Sequence, residues 1–156
     1  MEEALFYTDG SAKDEIAGIG IVAFRVAKLS VSVSETEIIR LDHYESVKGK
    51  CNHQRAELLA IMVALESLPK TSTWSVQVYS DSDYSIKCCT EYITTWKLNG
   101  FKTAAKKDVK NQDIIMRIDS CMQLHNVHFI HVPAHSGIVY NEVADKLAER
   151  GRLENV

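Results

Sequence analysis

The chain has 156 residues, 46% hydrophobic and 25% charged, with a formal net charge of -3. That length suits one domain over residues 1–156 with a sizeable core, and the mild acidity excludes a polyanion-binding surface spread over the whole molecule. An acidic start and no long apolar run argue against a leader or membrane span, so an intracellular, cytoplasmic protein is expected, a nuclear or viral setting remaining open.

In chain order, residues 5–8 read as a strand stopped by Asp9-Gly10, and residues 18–24 as a second apolar run after a polar turn. The two should pair as a hairpin. Residues 31–41, rich in Val and Ile, suit a third, edge-type strand. The pattern over 53–68 is helical, and residues 75–80 alternate at period two before Asp81. Short helices follow at 83–89 and 91–97, then a polar, lysine-rich stretch over 98–110. Asn111 is positioned to cap a helix running to residue 123. A fifth strand over 127–132 meets Pro133, and a last helix over 141–150 should close at Gly151. This order predicts an α/β fold with a five-stranded mixed sheet flanked by helices.

Asp9 and Asp81 each follow an apolar strand, and strands joined by a right-handed crossover run parallel, so both acids should lie at one sheet edge. Asp after a strand is also ordinary turn chemistry, so neither residue decides the matter alone. Glu57 shares a helical stripe with Ile61, Ala64 and Leu68, whereas Glu66 falls on the opposite face. A carboxylate on an apolar face needs a partner. With no basic residue evident nearby, a hard cation such as Mg2+ or Mn2+ suits clustered carboxylates, and two ions about 4 Å apart can serve phosphodiester cleavage. The four cysteines, Cys51, Cys88, Cys89 and Cys121, lack zinc-site spacing and read as reduced structural thiols. Asp145, taken alone, reads as a solvated helix charge. His135 lies in a loop where an imidazole can shuttle protons.

Several motifs resemble the type 1 ribonuclease H family: Tyr-Thr-Asp-Gly-Ser (7–11), Gln-Arg-Ala-Glu-Leu (54–58), Ser-Asp-Ser-Asp-Tyr (80–84), Trp-Lys-Leu-Asn-Gly-Phe-Lys-Thr (96–103), Lys-Lys-Asp-Val-Lys-Asn (106–111), His-Val-Pro-Ala-His-Ser-Gly (131–137) and Asn-Glu-Val-Ala-Asp (141–145). They occur in family order over nearly the whole chain. The resemblance implies a ribonuclease H-like fold and cleavage of the RNA strand of RNA/DNA hybrids, leaving 5'-phosphate and 3'-hydroxyl ends. It also implies that Asp9, Glu57, Asp81 and Asp145 bind two Mg2+ ions, with His135 assisting proton transfer or product release. The chain departs from the family at Asn52, where a Thr helps hold a DNA phosphate, and at His53, where an Asn reads the minor groove. Phe101 replaces a Trp, and Ala134 replaces a Gly.

Lys97, Lys102, Lys106, Lys107 and Lys110 face one acid, Asp108, in the stretch that holds Trp96, Phe101 and Thr103. This segment is the local basic site, resembling the family's DNA-gripping protrusion. Phosphate contacts carry no sequence information, so little sequence preference is expected. Choosing RNA requires reading the 2'-hydroxyl, for which His53, Gln54 and the backbone at Gly10 and Ser11 are candidates. A monomer without an obligatory protein partner is expected. The competing readings are a catalytically silent hybrid-binding module and an integrase- or transposase-type domain of the same fold.

Overall fold

A computed structural model describes residues 2–28 and 36–156. The elements are β1 (Glu2–Lys13), β2 (Ile16–Lys28), β3 (Thr36–Ser46), α1 (His53–Glu66), β4 (Trp74–Ser80), α2 (Asp83–Lys87), a π-helical turn (Cys88–Tyr92), α3 (Ile93–Leu98), α4 (Gln112–Leu124), β5 (Asn126–His131) and α5 (Val139–Leu153). β1, β2 and β3 form an antiparallel meander, and β4 and β5 extend it in parallel from β1, in the sheet order β3-β2-β1-β4-β5. This is the α/β mixed sheet that the sequence predicts.

Two glycines show how the helices are seated. A Cβ on Gly10 would stand 2.5 Å from the backbone of Ala56 and Glu57 in α1, and one on Gly20 would stand 2.2 Å from the Ala144 carbonyl oxygen in α5. Gly20 pairs with Asp9, the neighbour of Gly10, so successive positions face opposite helices and α1 and α5 cover opposite faces of the sheet. The main core lies on the α1 side, where Phe6, Leu58, Ile61, Val76, Ile115 and Ile118 pack together. All four cysteines are buried and free. No helix among the described residues is long and apolar enough to cross a membrane.

Several boundaries differ from the sequence reading. β1 does not stop at Asp9-Gly10; its parallel ladder with β4 ends at Thr8↔Ser80, but its antiparallel ladder with β2 runs on to Lys13↔Ile16. The hairpin turns at Asp14-Glu15. The third strand runs through Ser46 rather than ending at residue 41, because β2 offers partners as far as Gly18, and residues 31–35 of the expected strand lie outside the described residues. Residues 83–98 form one helical run joined by the π turn, which tucks Cys88 and Cys89 into the core.

Gly151 does not close α5, which continues to Leu153; its missing Cβ admits the Glu45 carbonyl oxygen at 2.4 Å from where that atom would sit. Asn111 stands at the start of α4, but in a left-handed conformation and without capping the helix with its side chain. Its amide donates instead to the Tyr84 hydroxyl (3.2 Å), and its oxygen accepts from Arg55 (3.2 Å).

Candidate active site

Three acids separated in sequence converge at the carboxyl ends of β1 and β4. Asp9 lies on β1 just past the last parallel pair, Asp81 follows β4 directly, and Glu57 reaches in from the second turn of α1. One carboxylate oxygen from each lies within 4.8 Å of the others. Asp9 and Glu57 are 3% and 2% exposed, and Asp81 is half-buried. The Gly10 amide donates to Asp9 Oδ1 at 2.9 Å. Neither buried oxygen of Glu57 accepts an aligned hydrogen bond, although His53 Nε2 stands 3.1 Å from Oε1, within ion-pair range.

Burial and crowding raise the proton affinity of all three acids. Asp9 is raised to about 11, first by desolvation and then by the neighbouring Glu57, and Glu57 to about 8, again chiefly by desolvation. Asp81 is raised by burial and by Asp145, while a hydrogen bond from the Asn141 amide and the charges of His53 and His135 oppose that rise. Among the described residues no Lys or Arg pairs with any of the three. A cluster of hard oxygen donors, two of them orphaned on Glu57, fits a divalent cation of the Mg2+ or Mn2+ class and does not fit zinc.

Asp145 comes from α5, across the sheet from α1. It is half-buried and close enough to hydrogen-bond the protonated carboxyl of Asp9, but it lies outside the tight group of three. His135 sits exposed on the loop between β5 and α5 with a left-handed backbone, near enough to Asp81 to act on it electrostatically.

The expected substrate contacts fall into occupied and open groups. The Asn52 oxygen caps α1 by accepting from the Arg55 amide at 2.9 Å, and the Ser11 hydroxyl accepts from Arg152 Nε at 2.9 Å. His53 is exposed beside Glu57. Gln54 lines a cleft of about 270 Å³ with Tyr84, Tyr92, Trp96, Thr103 and Lys110. Trp96 and Phe101 pack against the core and hold the basic segment down. Lys97 pairs with Asp119 at 3.2 Å and Lys102 with Asp108, so the five lysines do not present five free charges. Lys106, Lys107 and Lys110 are exposed with no ion-pair partner among the described residues.

Three residues escaped the sequence reading. Asn141 is buried beside Asp81, and its spacing of four from Asp145 was the available signal that both share a helix face. Arg55 binds Asp113 through two hydrogen bonds of 3.0 and 2.6 Å, tying the start of α1 to the base of the basic segment. Arg152 anchors Ser11 from a position 141 residues away, which no local pattern reveals.

A family model described as RNase H matches residues 1–152. A ribonuclease H of Francisella tularensis subsp. novicida is 38% identical over 150 residues, covering 95% of this chain and 90% of the relative. Among solved structures, LC9-RNase H1, a type 1 RNase H with the type 2 active-site motif, matches with a TM-score of 0.83 over 99% of this chain and 74% of its own, at 20% identity that speaks for the fold alone. A foamy viral protease-reverse transcriptase in complex with RNA/DNA hybrid matches with a TM-score of 0.75 at 27% identity, over 96% of this chain and 20% of that one. The fold, the convergent acids and the sequence match therefore agree, and the chain belongs to the ribonuclease H family.

Proposed function

We propose that this protein is an endonuclease that hydrolyses the RNA strand of RNA/DNA hybrids, leaving 5'-phosphate and 3'-hydroxyl ends with little sequence preference, and that residues 1–156 work as one catalytic domain. The observation that carries the reading is the meeting of Asp9, Glu57 and Asp81 around orphaned carboxylate oxygens. With Asp145 they would hold two Mg2+ ions, Mn2+ serving as a substitute. Such ions supply the charge that activates water and stabilises the leaving oxygen of a phosphodiester.

The chain's own residues prepare that chemistry. Asn141 donates to Asp81, favouring its ionised form and fixing its orientation. His135 passes protons beside the cluster, from an exposed loop that leaves the site open to product. Lys106, Lys107 and Lys110 grip phosphates of the DNA strand, assisted by Lys97, Lys102 and Thr103, over the aromatic base of Trp96 and Phe101. Asn52 meets a phosphate of the DNA strand, and His53, Gln54 and the backbone at Gly10 and Ser11 meet the minor groove and the 2'-hydroxyl.

The test is incubation with labelled hybrid, duplex DNA, duplex RNA and single strands, with and without Mg2+. Only the RNA strand of the hybrid is expected to be cut, and only with metal. Hybrid binding without a metal-dependent product would identify a silent binding module and overturn the reading.

A further inference from the structure

β3 is the sheet's outer strand on the side away from β1, and among the described residues nothing pairs with its outer edge. It carries Ile38, Ile39 and Leu41 at 65%, 47% and 67% exposure, an unusual apolar load for a bare edge. α1 covers β1 and β2 but stops short of β3, leaving a groove in two parts of about 400 and 320 Å³ with Ile39 and Leu41 along its outer wall.

In place of the monomer that the sequence suggests, we propose that this edge joins two copies of the chain, β3 to β3, antiparallel about a two-fold axis at Leu41. Three features select that register. First, Leu41 is the midpoint of Thr36–Ser46, so the axis aligns the two strands over their full length. Second, it sets Arg40 against Asp42 of the second copy and Asp42 against Arg40 of the second copy, the reciprocity that a two-fold interface requires. These side chains already show matching geometry, pairing within their own strand at 2.9 and 3.0 Å. Third, Leu41 meets its own copy on the groove face, and Ile38 meets Tyr44 of the second copy on the other. Glu37 and Glu45 oppose each other only near the ladder ends, where Glu45 is held by His43 at 2.8 Å. The pairing extends the sheet to ten strands, closes the bare β3 edge of each copy and leaves the carboxylate clusters, two strands away, open.

Sedimentation of the full chain from about 1 to about 100 µM tests this proposal directly. A reversible dimer is expected. Leu41→Lys and Arg40→Asp should each weaken it about tenfold or more, and Arg40→Asp combined with Asp42→Arg should restore it, since opposite charges across strands attract and like charges repel. Concentration-dependent protection of β3 amides from hydrogen exchange in the unmodified protein gives a readout independent of any variant. A monomer at every concentration, a dimer indifferent to these changes, or β3 amides that exchange equally at both extremes would overturn the proposal.

Discussion

The Asp9 carboxyl is raised to about 11 and the Glu57 carboxyl to about 8, so protons stand in for cations whenever the site holds no metal. Both folded values exceed the unfolded ones of about 4, so the folded state binds more protons than the unfolded chain. Stability from these groups is fully present below about pH 4 and is lost as pH rises through about 8 for Glu57 and about 11 for Asp9. In EDTA, the melting temperature should therefore fall between about pH 5 and about pH 8, and Mg2+ should recover it. Asp9→Asn, an isostere of the protonated acid that needs no proton, should flatten that slope. It should raise Tm by about 2–4 °C for each kcal/mol of strain relieved while abolishing cleavage. A variant that melts lower in EDTA at neutral pH would show that Asp9 stabilises the fold rather than burdening it. The sequence revealed Asp9, Glu57 and Asp81 because each breaks a local apolar pattern. Asp145 breaks none, and only its place in a family motif marked it. Arg152 and Arg55 stayed hidden because their meaning lies in partners distant along the chain.

At the scale of elements, the apolar periodicity located all five strands and the long helices, since that signal comes from one face packing on a core. It misplaced the ends. β1 loses one neighbour at Thr8 and keeps the other to Lys13, and a single-strand pattern cannot say which ladder is ending. Gly10 looked like a turn residue but admits α1, and Gly151 looked like a helix stop but admits the Glu45 carbonyl. The actual turn, Asp14-Glu15, has φ of 54° and 64° at two residues with side chains, the geometry of a type I' hairpin where Asn-Gly is preferred. A left-handed residue with a Cβ costs about 1–2 kcal/mol, partly offset by the entropy that glycine loses on folding. The Lys50–Glu15 pair at 3.6 Å is exposed and worth little against that. Glu15→Gly should thus stabilise the protein by about 0.5–1 kcal/mol, a Tm gain of about 1–4 °C by calorimetry, with cleavage unchanged. A lower Tm would mean that the Glu15 side chain anchors the hairpin in a way the turn geometry does not account for.

For the whole molecule, a net charge of -3 must be reconciled with a polyanionic substrate. Long-range attraction is weak, so on the proposed function affinity is expected to rest on a few cations placed against phosphates, with the ion pairs deciding which ones. Lys97 and Lys102 already hold Asp119 and Asp108, so bringing either to a phosphate means sharing or breaking an existing pair. Lys106, Lys107 and Lys110 carry no such cost, and Arg55, through Asp113 and Asn111, braces the segment that presents them against the helix bearing Glu57. Each neutralised phosphate contributes a slope of about -0.9 to the dependence of log affinity on log salt. Replacing Lys106, Lys107 and Lys110 together with Ala should therefore flatten that slope by about 2 to 3, raising KM at low salt with little change in kcat. Lys97→Ala with Lys102→Ala should flatten it by less than about 1, because those charges are already partly spent within the protein. An equal loss of slope in the two sets would show that the internal pairs open on binding, and that the substrate, rather than the fold, decides which lysines are free.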